Sequence, residues 1–108
     1  MSFQIFLTED ATRDLEDLYA YLELHDVPGK ADYVLDQIEK AFTRLSENPE
    51  RGVYPKELLA VGPRGSREMY GEPYRIVYRV MAENVYVMLI ADGRRDMQTL
   101  LQRRLLQA

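Results

Sequence analysis

Two segments near the start of the chain carry apolar residues at helical spacing. In the first, the apolar positions lie three or four residues apart, at Leu7, Ala11, Leu15, Leu18 and Leu22. Thr8 is suited to cap this helix, because its hydroxyl can accept a hydrogen bond from a backbone N–H of the first turn. The helix is therefore predicted to begin after Thr8 and to end near His25, before the breaking stretch DVPGK.

The second amphipathic segment begins at about residue 29, and Asn48-Pro49 ends it. Its apolar stripe consists of Ala31, Val34, Leu35, Ile38, Phe42 and Leu45. Because only a few residues separate the two helices, they are expected to be antiparallel neighbours. Ahead of them, FQIFL at residues 3–7 alternates at the period of a short strand.

After residue 65 the pattern changes from helical spacing to strands. The β-rich runs SREMY, YRIVYRV (74–80) and VYVMLIAD (85–92) are separated by the short connections GEP and MAEN, which predicts an antiparallel meander. Residues 48–64 are predicted to be a long surface connection, in which ELLA is compatible with one helical turn.

These elements predict an α+β fold in the order β-α-α-β-β-β-α, within a single domain covering residues 1–108. Two antiparallel helices pack on one face of an antiparallel sheet, and residues 96–106 form a short C-terminal helix. In the strand 74–80, even positions are expected to be buried, whereas Arg75, Val77 and Arg79 share the opposite face. That second face is expected to be open, wet and basic.

Composition narrows the class of protein. The chain has no cysteine, which excludes disulfides and thiolate sites. It has no apolar run near the ~20 residues of a membrane span and no recognisable signal peptide, so a cytoplasmic protein without membrane association is expected. Neither metal-ligand spacing nor a glycine loop for phosphate is present, and no cofactor or metal is expected.

Charge is distributed unevenly along this acidic chain of formal net charge −4. Residues 1–50 hold twelve acidic and four basic side chains, whereas residues 51–108 hold six acidic and ten basic ones. Five arginines lie on the meander or at its end: Arg67, Arg75, Arg79, Arg94 and Arg95. Guanidinium groups bind two oxygens at once, so a shared concave surface of this kind would suit phosphates or carboxylates.

A structural interpretation of the arginines stays open beside the functional one. Cross-strand pairs with Glu68, Glu72 or Glu83 would keep a sheet face soluble without binding a partner. For RNA cleavage, Asp92 is a weak candidate base and Tyr86 a weak candidate acid.

The single histidine adds little to the case for catalysis. His25 suits the C-terminus of the first helix, where an imidazolium is favoured by the helix dipole.

Several stretches together resemble the RelE/ParE superfamily of toxins from type II toxin–antitoxin, or plasmid stabilisation, modules. They are DLEDLYAYL in the first helix, VLDQIEKAFTRLSENPERG in the second, and then YRIVYRV and VYVMLIADGRRD. The similarity covers nearly the whole chain and keeps the order of the elements. Its most specific parts are NPERG, the YRIVYRV strand and GRRD.

This resemblance implies a growth-arresting toxin that a cognate antitoxin neutralises, with a dimer or a toxin–antitoxin hetero-oligomer as the expected assembly. ParE-like members inhibit DNA gyrase, and RelE-like members are ribosome-dependent mRNA endonucleases. Where relatives often have histidine before GRRD, this chain has Asp92, and its C-terminal stretch LLQRRLLQA has no tyrosine. These departures favour the ParE-like activity. A non-toxic module that only binds an antitoxin is the third alternative.

The resemblance also matches four of the arginines to the family's sheet positions, namely Arg67, Arg75, Arg94 and Arg95. Together with Arg79, which lies on the same meander, they are the candidate partner-binding residues. Arg67, Asp92, Arg94 and Arg95 are weak catalytic candidates in the RNA-cleaving alternative.

Overall fold

The computed structural model describes residues 2–58, 66–71 and 73–106. Its first part contains strand β1 (Gln4–Leu7), helix α1 (Glu9–His25) and helix α2 (Lys30–Glu47). Short 3-10 turns follow at Pro49–Arg51 and Lys56–Leu58. The later part contains β2 (Ser66–Gly71), β3 (Tyr74–Met81), β4 (Asn84–Asp92) and α3 (Met97–Leu101), which continues as a π-helical turn at Gln102–Leu106.

The helix limits follow the predicted caps. The Thr8 side chain accepts a hydrogen bond from the backbone N–H of Ala11, which satisfies one of the free donors at the start of α1. Asn48 ends α2, and Pro49 begins the turn after it. Both predicted helices are therefore confirmed within a residue or two. Of the ELLA stretch, Glu57 and Leu58 belong to a 3-10 turn, and the remainder lies outside the described residues.

The four strands form one sheet in the order β1-β4-β3-β2, and the predicted α+β fold is confirmed. The β2–β3 and β3–β4 pairs are antiparallel, as expected of a meander. One pairing differs from the expected antiparallel sheet, because β1 runs parallel to β4. The helical hairpin returns the chain to the sheet at β2 in the direction of β1. The two reversals of the meander then restore that direction in β4.

The first face of the sheet packs against α1 and α2. Ile76 and Tyr78 of β3, with Val85 and Val87 of β4, meet helix residues that include Ile38, and all five are fully buried. The stripe of α2 supplies most of the helical contribution, at Ala31, Val34, Ile38, Ala41 and Leu45. This layer is the main hydrophobic core.

A bulge in β4 changes which of its residues face the helices. Val77 pairs with Leu89 but Tyr78 pairs with Val87, so Met88 is an extra residue in β4. Before the bulge Val87 packs under the helices, whereas Leu89 after it belongs to a second buried cluster on the opposite face. A simple alternation along the strand does not predict this switch.

The second face is partly covered, which corrects the expectation that it is open. Met97 and Leu101 of α3 pack on Val77, Leu89 and Ala91, and all five are buried. The C-terminal helix packs on this face because its apolar side chains and those of the strands are removed from water together.

The NPERG stretch is tied to β2 and β3 by hydrogen bonds. The buried Tyr78 hydroxyl donates to the carbonyl of Pro49 at 2.5 Å. Gly52 makes room for it, since a Cβ there would clash with the Tyr78 hydroxyl. Arg67 donates to the carbonyls of Glu50 and Gly52, at 3.2 and 2.9 Å. This stretch therefore fixes the start of the long connection to the sheet.

Candidate functional site

The turn after β4 is held in place by backbone hydrogen bonds. The N–H of Gly93 donates to the carbonyl of Pro73 at 2.9 Å, and the N–H of Arg95 donates to the carbonyl of Asp92 at 3.1 Å. Asp96 then caps α3, because its carboxylate accepts from both the backbone and the hydroxyl of Thr99. These bonds give the two arginines between Gly93 and Asp96 a defined position at the edge of the sheet.

Asp92 and Arg94 form an ion pair within this turn. The carboxylate of Asp92 accepts from the backbone N–H and the Nε of Arg94, both at 2.9 Å, and from its Nη2 at 2.5 Å. The hydrogen bond from Arg94 is the main cause that lowers the pKa of Asp92. A carboxylate with a lowered pKa is a weak general base near neutral pH. Asp92 therefore acts as the local partner of Arg94.

Arg95 lies at the boundary of two depressions in the surface. An open one of about 760 Å³ is lined by Lys56, Glu57, Tyr70, Arg75 and Asp96, among others. A deeper one of about 860 Å³ lies between the sheet and the ends of the two long helices, where Tyr21, His25, Lys30, Tyr33 and Asp92 contribute. The Arg95 side chain borders both depressions and is exposed. No described residue forms a salt bridge with it.

Arg75 is buried in an ion-pair cluster at the wall of the first depression. Its two Nη atoms donate to the carboxylate of Glu57 at 2.8 Å each, and its Nε donates to Glu68 at 2.9 Å. The side chain is only 4% exposed. The expectation that Arg75 lies on a wet face is therefore wrong, because two carboxylates neutralise it and the aliphatic part packs against Gly93.

The remaining two arginines of the meander lie on opposite faces of the sheet. Arg67 pairs in register with Tyr78, so it lies on the helix side, where its guanidinium stacks over the Tyr54 ring at 4.9 Å. Arg79 pairs with Ser66 and Tyr86 on the second face. The predicted single surface of five arginines is therefore wrong, since only Arg94 and Arg95 share a depression in which both are exposed.

The acid and base considered for RNA cleavage lie far apart. Asp92 lies six positions after Tyr86 along the strand, which corresponds to ~20 Å. The bulge at Met88 also places them on opposite faces of the sheet. His25, by contrast, lines the same depression as Arg94 and Arg95 and packs against Tyr21, with ring centroids 4.5 Å apart and ring planes tilted by 40°. The tertiary structure thus brings the histidine to the arginines, although about 70 residues of sequence separate them.

Some residues at the site were missed by the sequence analysis. Glu57 and Lys56 stand in the long connection, whose composition carries no signal of an ion pair with β3. Of the acidic partners considered, Glu68 does bind Arg75, whereas Glu72 lies outside the described residues. The pKa of Glu57 is lowered, mainly by the hydrogen bond from Arg75.

A second long-range ion pair closes the edge of β4 beyond the end of β1. Arg104 donates through both Nη atoms to Asp14, at 2.9 Å each, and also to the carbonyl of Met88 at 3.1 Å. The same carboxylate accepts the backbone N–H of Ile90 at 3.1 Å. This pair provides hydrogen-bond partners for the Met88 carbonyl and the Ile90 N–H of β4, and it connects the C-terminal turn to α1.

The family model for the ParE toxin of the type II toxin–antitoxin system parDE matches residues 5–97. The chain belongs to the ParE toxin family. The match extends from β1 to the start of α3 and includes the GRRD turn with both depressions beside it. This ParE-family chain is accordingly the toxin of a type II toxin–antitoxin system. No curated protein matches it in sequence.

Solved structures of related toxins share the fold of this ParE-family chain. A chromosomal ParDE system from P. aeruginosa matches with a TM-score of 0.67 at 19% identity, over 84% of this chain and 96% of that one. The RelBE2 toxin–antitoxin complex from Mycobacterium tuberculosis matches with 0.59 at 23% identity, over 85% and 99%.

A variant of the E. coli toxin RelE in its free state also matches. Its TM-score is 0.56 at 19% identity, over 97% of this chain and 100% of that one. At such identities the three likenesses show the fold alone.

The described residues contain no group of three or more histidine, cysteine or acidic side chains that could hold a metal ion. Among the helices of the same part of the chain, none is long and apolar enough to cross a membrane.

Proposed function

We propose that this toxin arrests growth in the cytoplasm by a ParE-like inhibition of DNA gyrase, and that a cognate antitoxin neutralises it. The family match supports the ParE-like branch. The toxin would act by binding its target through exposed cations on a rigid turn, without chemistry of its own.

The state of the arginines beside the first depression supports a binding role. Arg95 is exposed on a hydrogen-bonded turn, whereas Arg75 is neutralised by Glu57 and Glu68. Phosphate cleavage needs several cations around one phosphorus and a matched acid and base. Asp92 and Tyr86, the pair considered for that work, do not converge on one point. A fixed cation at a rim is sufficient for recognition of an acidic or phosphate-bearing partner.

An antitoxin would compete with gyrase for this rim. An acidic segment of the antitoxin can pair with Arg95, since no described residue forms a salt bridge with it. Arg94 keeps Asp92 as its partner and would contribute less. In this proposal, Arg95 is the main shared contact of target and antitoxin.

The test combines expression and a biochemical assay. The wild-type chain, Arg95→Ala and the control Arg44→Ala are expressed from an inducible promoter without antitoxin, and growth is scored. The purified proteins are then titrated into a gyrase supercoiling reaction. We expect wild type and Arg44→Ala to arrest growth and block supercoiling, because Arg44 is exposed on α2 away from the turn. Arg95→Ala should weaken both effects about tenfold while its melting temperature stays unchanged.

Each other outcome contradicts a stated part of the proposal. Arrest with intact supercoiling excludes gyrase as the target. Absence of arrest excludes toxicity and favours the non-toxic antitoxin-binding module. An Arg95→Ala protein that unfolds would show that this arginine is structural.

One observation favours a RelE-like mRNA endonuclease as the second candidate function. His25 lines the same depression as Arg94 and Arg95, so a titratable imidazole and two cations border one space. If this candidate holds, His25→Gln abolishes ribosome-dependent mRNA cleavage. If gyrase is the target, the same variant leaves the block of supercoiling intact.

A further inference from the structure

The deeper depression contains a buried tyrosine whose hydroxyl has no partner. Tyr74, at the start of β3, lines this depression and is only 6% exposed. The buried hydroxyl of Tyr78 donates to a carbonyl, whereas no described residue forms a hydrogen bond with the hydroxyl of Tyr74. That hydroxyl is not among the enclosed unpaired atoms of the described residues, so it is open to the depression. A buried tyrosine usually finds a partner for its hydroxyl, and a ligand can provide one here.

The surroundings of Tyr74 show which part of the depression its hydroxyl faces. Burial is the main cause that raises the pKa of Tyr74, the carboxylate of Asp92 raises this pKa further, and the Arg94 cation opposes them. Both charged side chains line the same depression at the end of β4. The hydroxyl therefore lies near the turn that carries the exposed arginines.

Apolar side chains form the walls of the depression, and aromatic rings lie at its exposed border. The walls come from both helices and from β4, through buried residues that include Leu22, Val34 and Ile90. At the border, Tyr21 and Tyr33 are 61% and 59% exposed. Exposed rings beside a concave apolar surface are suited to pack against a flat heteroaromatic group, as in base–aromatic stacking.

Two cations beside these rings have no internal ion pair. Lys30 and Arg95 both line the depression, and none of the described residues forms a salt bridge with either. The Nζ of Lys30 lies 5.7 Å from the centroid of the Tyr33 ring. A phosphate monoester carries a charge of about −1.5 to −2 at pH 7, which two such cations can balance. Aromatic and cationic groups are thus combined in one space.

The acidic surface of α1 limits the size of an anionic ligand. This helix has a single arginine, Arg13, against the acidic residues Glu9, Asp10, Asp14, Glu16, Asp17 and Glu23. A polyanionic strand that continued across α1 would be repelled by these carboxylates, whereas one phosphate needs only the two cations. The volume of about 860 Å³ is also in the range of small-molecule sites.

We propose that the deeper depression is a binding site for a purine nucleoside monophosphate. The base would pack against Tyr21 and Tyr33 and place its polar edge at the Tyr74 hydroxyl. The phosphate would bind Lys30 and Arg95. This ligand site is independent of whether gyrase is the target of the toxin.

Titration calorimetry of the intact toxin with AMP and GMP tests the site, with adenosine and inorganic phosphate as the two halves of the ligand. We expect a nucleotide to bind about tenfold or more tightly than either half. Tyr74→Phe removes only the hydroxyl, and Lys30→Gln removes the charge. Each should weaken nucleotide binding about five- to tenfold.

Matched control variants separate the site from general effects on the protein. Tyr54→Phe and Lys40→Gln change residues that do not line the depression, and both should stay within about twofold of wild type. Melting temperatures establish that all variants are folded. Tyr74→Phe should keep the melting temperature of wild type, because the hydroxyl that it removes has no partner among the described residues.

Four outcomes would overturn the inference. Neither nucleotide binds wild type at millimolar concentration, or inorganic phosphate binds as tightly as the nucleotides do. Tyr74→Phe and Lys30→Gln both retain full binding, which would place the nucleotide elsewhere. A single-stranded oligoadenylate, titrated in parallel, binds more tightly than AMP, which would assign the depression to RNA. Growth arrest and supercoiling enter none of these measurements, so failure of the proposed function stays distinguishable.

Discussion

The two faces of the sheet bury their side chains by different means. The first face is covered by two long helices over an apolar core, and near β2 the Tyr78 hydroxyl and Arg67 donate hydrogen bonds to carbonyls of the NPERG stretch. The second face is covered over only part of its area by the short α3, next to the buried ion-pair cluster of Arg75 and the half-buried Arg79. The first face thus stabilises the fold, and the second also carries charged groups that can serve recognition.

Strand β3 shows how different neighbouring positions of one face can be. Arg75 is enclosed by two carboxylates, Val77 lies under α3, and Arg79 lies where the cover ends. The same residue type at Arg75 and Arg79 therefore has two roles. Arg75 is structural because its charge is neutralised internally, whereas no described residue forms a salt bridge with Arg79.

The largest expected effect comes from breaking the buried ion-pair cluster. Arg75→Met leaves Glu57 and the buried Glu68 without their cation, and it should lower the free energy of unfolding by about 3–5 kcal/mol. Urea unfolding followed by circular dichroism measures this loss. The matched change Arg79→Met should cost about 0.5 kcal/mol or less, because none of the described residues forms a salt bridge with Arg79.

A second variant sharpens this prediction. Replacing Glu68 as well, in Arg75→Met/Glu68→Leu, removes one of the stranded carboxylates and should regain part of the loss. A loss below about 1 kcal/mol in the single variant would contradict a structural role for Arg75.

A smaller difference in the free energy of unfolding should distinguish the helices that pack on the two faces. Ile38→Ala on the first face and Leu101→Ala on the second both remove fully buried side chains. Each should cost about 2–5 kcal/mol, with Ile38→Ala in the upper part of that range. The five-residue α3 can relax into its cavity, whereas α2 is packed along 18 residues. Unfolding midpoints in urea measure both, and a larger loss for Leu101→Ala would contradict the comparison.

The smallest effect concerns the pH dependence of the second face. Because Arg75 lowers the pKa of Glu57, this carboxylate adds stability above its ordinary pKa near 4.5. That contribution is lost as pH falls through the lower pKa of the folded state. Glu57→Gln should therefore be less stable than wild type at pH 7, and the difference should shrink below pH 4.5. Urea unfolding at a series of pH values measures it, and an unchanged difference at the most acidic values contradicts the assignment.

Capping residues, apolar periodicity and helix-stop residues predicted the helices and strands well, because each of these signals acts within a few residues of the chain. The Thr8 cap, the stripe of α2 and the Asn48-Pro49 stop each depend on side chains close in sequence. The direction of β1 was not predicted, since strand pairing across the helical hairpin leaves no local signal.

The candidate site was predicted only in part. The GRRD turn was located at the end of β4, and the structure places it between two depressions. Alternation along β3 correctly separated Tyr78 from Arg75, but it could not show that Arg75 is covered. The bulge at Met88 changed the face of the later β4 residues, and a single inserted position is invisible in an apolar run.

The sequence by itself determined the order of the elements, the helix limits, the α+β class and the resemblance to the toxin superfamily. These depend on periodicity, capping and short motifs, whose physical causes are local. Only the tertiary structure decided that Glu57 and Glu68 neutralise Arg75 and that Arg104 reaches Asp14 from 90 residues away. The reason is that the charge state and burial of a side chain depend on which distant groups surround it, and those neighbours exist only once the chain has folded.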